Sequence, residues 1–240
     1  MGRSLLEYRL RKMSRTWFDS LFCTFNPKIK PLGKNAQWFY VPELLNENSI
    51  IVSGGVGRDI SFEHRLFDIH GCVIHLFDPS PTGVEFMKRS ENQREHLNYY
   101  PLGLTGGNGR VSFAPPDNPL EGSYRTPGNS EGANGFGFDC VTLSKFCDDQ
   151  GFGHIDLLKI DIEGFEYEVL EEALGRGLLI GQICVEYHNF LQGHSNWETL
   201  KSISLLYRKG FRLAHKRGSE YLFLNVKYVK ERCPDYFSIA

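Results

Sequence analysis

The sequence predicts a doubly wound α/β fold: a mostly parallel sheet with helices on both faces and one antiparallel strand near its end. Three observations predict it. First, His154–Leu174 opens with a short apolar run, Ile155, Leu157, Leu158, Ile160 and Ile162, of the kind buried on both faces of a parallel sheet. The spacing then turns helical at Phe165, Val169, Leu170, Ala173 and Leu174. Second, the strand-like Ser49–Ser53 runs through Gly54-Gly55-Val56-Gly57-Arg58-Asp59 into another helical pattern. Third, Cys72–Phe77 and Leu179–Val185 are further apolar strands that end in polar residues. Open α/β folds bind ligands outside the carboxyl ends of their strands, so Asp161, Glu163 and Glu166 stand at an active-site address.

Composition narrows the classes. With 240 residues, 41% of them hydrophobic, the chain can bury one substantial core and is read as one elaborated domain. A net charge of −2 gives no broad attraction for nucleic acid or anionic lipid, leaving only a local basic stretch at Arg3–Arg15. No apolar run approaches the ~20 residues of a spanning helix, and the first 25 residues lack a signal-peptide core. The reading is a protein without stable membrane insertion, cytoplasmic in preference to secreted or lumenal, with its oligomeric state open. The six cysteines are scattered without a CxxC or zinc-like spacing and are read as reduced thiols.

Residues 1–45 read as an N-terminal helical extension. Leu5, Leu6, Leu10, Trp17 and Leu21 recur at roughly helical spacing among basic residues, and Trp38–Pro42 is an apolar lead-in. Residues 46–230 form the core domain and 231–240 a tail. Strand one is Ser49–Ser53, and its glycine turn leads to a helix over Ile60–Ile69. Glycine lets the backbone pass close to a ligand, and a helix N-terminus presents free N–H groups. Strand two, Cys72–Phe77, ends at Asp78, 21 positions after Gly57 and placed to accept from a ribose diol. The alternative is that Asp78 caps a helix opening around Pro79–Gly83. Ile60 occupies the third glycine position of a G-x-G-x-x-G pattern, which makes a dinucleotide site the less natural fit.

A helix follows over Thr82–Arg94, then strand three and its exit over Leu97–Leu104. Leu102–Thr105 lies where it can meet a purine or serve as plain core, and Val111–Phe113 is a small strand. Residues 114–138, rich in Pro, Gly, Asn and Ser and without periodicity, read as a mobile cover. Phe138–Leu143 is a short strand, and Thr142 caps a helix that closes at Gly151. Beyond the central strand and its helix, Gly175 and Gly177 stop the chain's helical run. Leu179–Val185 is strand five, with Glu186-Tyr187-His188 at its tip. A helix over Trp197–Lys209 precedes a closing hairpin of Phe211–His215 and Tyr221–Val226.

The segments IVSGGVGRDISFE, LFDPSP, YPLGLTG, LLKIDIEGFEYEVL and ICVEYH together resemble the FkbM-type class I S-adenosylmethionine-dependent methyltransferases, and among them the methyltransferase-like protein 24 group. The resemblance spans roughly residues 36–226, and LLKIDIEGFEYEVL is its most specific part. It implies a seven-stranded sheet with one antiparallel strand, and S-adenosylmethionine as cofactor. Gly54, Gly55 and Gly57, in the turn that ends at Asp59, would line the methionine side. Asp78 would take the ribose hydroxyls, Leu104 and Thr105 would approach the adenine, and Asp161 would face the reacting centre. The acidic residue usual at the end of strand one is absent, with Ser53 or Gly54 in its place.

The implied chemistry is methylation of a small-molecule or glycan hydroxyl. The protein's part is to hold the acceptor in line and remove its proton. Candidates for the base are Asp161, Glu163, Glu186 and His188. His188 and Asp161 rank first, because histidine titrates near working pH and Asp161 sits nearest the cofactor. Alternatively, Glu163 and Glu166 only favour the following helix N-terminus, with Lys159 paired to one of them. Asp161, Glu186 and His188 make an O/O/N set able to hold Mg²⁺ or Mn²⁺, although a metal is not the favoured reading. A nicotinamide-dependent oxidoreductase and a non-catalytic cofactor-binding protein remain the alternatives.

Overall fold

The computed structural model describes residues 25–35, 37–116, 123–127, 135–191 and 194–237. The predicted helix around Leu5–Leu21 and the basic stretch at Arg3–Arg15 lie outside the described residues. The chain builds a seven-stranded sheet from β3 (Ile51–Gly54), β4 (Ile74–Phe77), β5 (Leu97–Tyr100), β9 (His154–Ile160), β10 (Leu179–Glu186), β11 (Phe211–Arg217) and β12 (Glu220–Asn225). Its order is β11-β12-β10-β9-β3-β4-β5. β12 runs antiparallel to both neighbours, while the pairs among β10, β9, β3, β4 and β5 are parallel. This is the expected doubly wound α/β sheet with one antiparallel strand.

Helices cover both faces because the strands alternate their apolar side chains between them. In β3 and β9, Val52 and Leu158 join one cluster, together with residues of α3 (Leu143–Gln150), α4 (Glu166–Gly175) and α5 (Asn196–Arg208). Their neighbours Ile51 and Leu157 join the other, against α1 (Ser61–His70) and α6 (Val226–Arg232). α1 stops at Gly71, whose φ of 72° makes a left-handed cap. Thr142 caps α3 as predicted, its hydroxyl accepting from the Lys145 amide.

Several elements differ from the sequence reading. Residues 25–45 hold a hairpin, β1 (Lys30–Leu32) with β2 (Trp38–Tyr40), rather than only helix. It is anchored by the buried Gln182 side chain, which exchanges hydrogen bonds with the Val41 backbone at 2.9 and 3.2 Å. The helix expected over Thr82–Arg94 is α2, Pro81–Met87, followed by a separate 3-10 turn at Ser90–Asn92. It ends early because no apolar residue beyond Met87 offers a face to bury, and Asn92 Nδ2 donates to the freed Phe86 carbonyl at 2.8 Å. Val226 opens a helix instead of closing a strand, with Asn225 accepting from the Lys227 and Tyr228 amides. The residues read as a tail from 231 onward thus begin inside α6. That helix is tied down by Tyr228, whose hydroxyl donates to the buried Asp156.

The exit of strand three does not extend the main sheet. β6 (Gly103–Leu104), β7 (Gly109–Phe113) and β8 (Phe136–Val141) form a second, three-stranded sheet in the order β6-β8-β7. Its cluster of Phe113, Cys140 and Phe165 reaches the first turn of the chain after β9. Among the described residues Cys72, Cys140, Cys147, Cys184 and Cys233 are free thiols, and no helix is long and apolar enough to cross a membrane.

Candidate active site

The carboxyl tips of β3, β4 and β9 open into one cleft of about 250 Å³. Its wall includes Gly55, Gly57 and Asp59 from the glycine turn, Asp78 after β4, Leu104 of β6, and Asp161 and Glu163 after β9. At Gly55 the turn is shaped by neighbours that leave no room for a side chain. Gly55 has a φ of 86°, and a Cβ there would lie 1.9 Å from the Asp161 carbonyl oxygen. Its carbonyl accepts from Lys159 Nζ at 2.9 Å, so Lys159 does not pair with Glu163 or Glu166. Lys159 lies instead 3.6 Å from Glu63 Oε1.

Asp78 faces this turn. Its Oδ2 accepts from the Val56 and Gly57 amides, each at 3.0 Å, and its Oδ1 from the Ser80 amide at 2.8 Å. The cap of α2 is Ser80, so Asp78 is not that helix's cap. Gly83 makes room for the carboxylate, since a Cβ there would lie 2.4 Å from Asp78 Cγ. Asp59 closes the turn by accepting from the Ser61 amide at 2.8 Å. Gly54 is buried, its place for a Cβ filled by Leu104 and Ile162 at 3.0 and 3.1 Å. Thr105 is also buried and its hydroxyl donates to the Gly107 carbonyl at 2.7 Å, so Leu104 reaches the cleft and Thr105 does not.

The loop after β9 carries the acidic cluster. Glu163 has a φ of 54°, a left-handed backbone rare outside glycine, and Gly164 follows at 104°. Glu166 holds this loop in place from the start of α4. Fully buried, it accepts from the Ile162 and Gly164 amides, each at 3.0 Å, and from His188 Nδ1 at 2.7 Å. The sequence placed Glu166 at the active-site address, with helix-dipole support as the alternative, and gave no sign of this bracing role. The remaining His188 nitrogen, Nε2, faces Glu163 at 3.4 Å and Asp161 at 3.6 Å.

These contacts set the charges. Burial alone would lower the His188 pKa, but the hydrogen bond to Glu166 and the charges of Glu166, Glu163 and Asp161 outweigh it and hold the ring at about 9. With carboxylates facing both ring nitrogens, the contacts favour the imidazolium rather than the titration near working pH expected from the sequence. Asp161 is pushed up to about 7, chiefly by burial, with Glu186 and Glu166 raising it and Lys159 and His188 opposing. Its side chain nevertheless keeps 32% of its surface open toward the cleft, whereas His188 is 4% exposed. Glu186 lies behind them, accepting from the Ser219 hydroxyl at 2.8 Å. Asp161, Glu186 and His188 do offer donor atoms within 4.8 Å of one another.

Part of the segment read as a cover does lie over this cleft. Ser123 and Tyr124 line it, and the Thr126 amide donates to the Glu163 carbonyl at 3.0 Å. Thr126 Oγ1 also meets His194 Nε2 at 2.9 Å. Tyr124 rests edge-on against Phe136 and Phe138, so strand β8 begins two residues earlier than predicted and holds the flap.

A family model described as the methyltransferase FkbM domain matches residues 41–213 of this chain. The chain belongs to the FkbM methyltransferase family, a family of S-adenosylmethionine-dependent methyltransferases. The match runs from the segment just after β2 into β11 and takes in every residue of the cleft named above. Human probable methyltransferase-like protein 24 is 25% identical over 174 residues, which are 71% of this chain and 41% of that protein. The chain thus spans less than half the length of this curated relative. Two solved structures are also similar: a Methanococcus jannaschii fibrillarin pre-rRNA processing protein, at TM-score 0.45 and 8% identity over 82% of each chain; and Aeropyrum pernix fibrillarin with bound S-adenosyl-L-methionine, at TM-score 0.42 and 9% identity over 82% of this chain and 81% of that one.

Proposed function

We propose that this FkbM-family chain binds S-adenosylmethionine in the cleft between the glycine turn and Asp161 and methylates a hydroxyl of a small molecule or glycan. The observation that carries the reading is the facing of Gly55 and Asp161 across the β3–β9 junction, the point where open α/β sheets place their ligands. The fit is chemical as well as topological. A glycine turn with no room for a Cβ at Gly55, an aspartate beside it and the apolar Leu104 and Phe113 suit a nucleoside with a thin, charged tail.

When bound, the cofactor supplies an activated methyl group. The chain's own part is to orient the acceptor and take up its proton. Asp161 is the base on this reading, because of the two candidates that line the cleft, Asp161 and Glu163, it is the one set against the glycine turn at Gly55. Glu163 walls the same space, while His188 and Glu186 act from behind, positioning Asp161 by charge. Phe190, 70% exposed and 5.5 Å ring to ring from His188, is an aromatic face on which a sugar ring can stack. The net charge of −2, which gives no broad attraction for a phosphate backbone, supports a glycan-like acceptor over nucleic acid.

Incubation with isotopically labelled S-adenosylmethionine and panels of sugars, catechols and peptides tests the assignment. Label is expected in a hydroxyl-bearing acceptor, with Asp161→Asn at least about 100-fold slower, the usual scale of a lost general base. Transfer only to nitrogen or to RNA would contradict the acceptor class. EDTA is expected to leave the rate unchanged; a loss restored by Mg²⁺ or Mn²⁺ would assign Asp161, Glu186 and His188 to a metal instead.

A further inference from the structure

We propose that Glu63 receives the α-ammonium group of the cofactor's amino-acid tail. It would do from helix α1 what no carboxylate does at the end of β3, where Ser53 stands. The inference rests on the cofactor reading above and deepens it.

Glu63 sits in the first turn of α1, 1% exposed, and its residue forms part of the cleft wall beside Gly55, Trp38 and Lys159. One carboxylate oxygen is accounted for. Oε1 accepts from the Ser53 hydroxyl at 2.6 Å and lies 3.6 Å from Lys159 Nζ. The other, Oε2, is buried and has no hydrogen-bond partner among the described residues. A buried polar atom without a partner is costly, and native proteins rarely leave one unmatched. Here the unmatched atom is a charged acceptor in the wall of a ligand cleft, so the group it suits is a cationic donor.

The surroundings make this a fixed feature. Lys159 is 4% exposed, donates to the Gly55 carbonyl and lies 5.1 Å from the Trp38 ring, so it cannot swing to cover both oxygens. Ser53 and Lys159 are partners in register across β3 and β9, which places the hydroxyl, the ammonium and Glu63 around one point under the glycine turn. Asp78, Leu104, Phe113 and Tyr124 line the same cleft without any cation among them, and suit the nucleoside. Glu63 and Lys159 thereby match an amino-acid zwitterion, and Asp78, Leu104, Phe113 and Tyr124 a purine riboside.

Titration calorimetry on the full chain tests this with three probes: S-adenosylhomocysteine, its analogue lacking the α-amino group, and 5′-methylthioadenosine. For the wild type, deletion of the amino group is expected to weaken binding at least about tenfold, the scale of one charged hydrogen bond. Glu63→Gln is expected to weaken S-adenosylhomocysteine by a similar factor and to leave 5′-methylthioadenosine within about twofold, since that probe never meets the residue. Equal wild-type affinity for S-adenosylhomocysteine and its des-amino analogue overturns the proposal without recourse to any variant. So does a folded Glu63→Gln protein that loses all three probes alike. Absence of any S-adenosylhomocysteine binding overturns the cofactor reading and this inference with it, a result distinct from tight binding that ignores the amino group.

Discussion

Glu166 shows how one side chain sets the chemistry of its neighbours. Its two oxygens hold the Ile162 and Gly164 amides, so the left-handed backbone at Glu163 is enforced rather than merely tolerated, and Oε1 also holds His188 Nδ1. Glu166→Ala leaves two amides and an imidazolium buried without their acceptor. Removing one partner of such a buried charged pair costs on the order of 3 kcal/mol, a fall in melting temperature of roughly 6–12 °C for a domain of this size. A thermal melt within about 2 °C of wild type would show that the loop stands without it. Little of this was legible in the sequence. The acidic residues of IDIEGFE were visible as a cluster, but which of them turns inward depends on His188, a residue on another strand with no fixed spacing to them. Glu63 was hidden for a similar reason, since it sits one position from the apolar Phe62 in a helix that reads as ordinary and amphipathic.

At the scale of elements, apolar runs bounded by turn residues were good guides to the strands of the main sheet, because strands buried on both faces leave a continuous hydrophobic signal. The three-stranded sheet was harder to see: β6 is two residues long, and β7 is largely exposed. β4 carries a further consequence. His75, 6% exposed in that strand and set among the rings of Tyr100, Phe146 and Phe152, has its pKa lowered by burial to about 4 from 6.5. The folded state thus holds this proton less tightly than the unfolded chain. Its stabilising share is full above pH 6.5 and is lost as pH falls through 6.5 toward 4, amounting to about 3 kcal/mol at the lower end. His75→Phe keeps the ring packing and removes the titration, so its melting temperature is expected to fall less steeply than the wild type's over that range. Parallel profiles would mean that His75 takes no part in acid unfolding.

For the molecule as a whole, the order β11-β12-β10-β9-β3-β4-β5 decides where chemistry can occur. The chain reverses direction across the sheet between β3 and β9, and the crevice left at that junction receives Gly55 from one side and Asp161 from the other. Asp78 joins from β4, the small sheet supplies Leu104 and Phe113, and Tyr124 covers the opening. This convergence was legible because the glycine turn, Asp78 and Asp161 each follow an apolar strand, whereas the depth of His188 was not. The central claim is that the crevice is built for a nucleoside carrying a sulfur-bearing amino acid. Calorimetry of the full chain with S-adenosylhomocysteine and, separately, with NADH tests it most directly. Saturable one-to-one binding of S-adenosylhomocysteine, weakened by Asp78→Ala, with no heat from NADH, is the expected result; binding of NADH alone would contradict it.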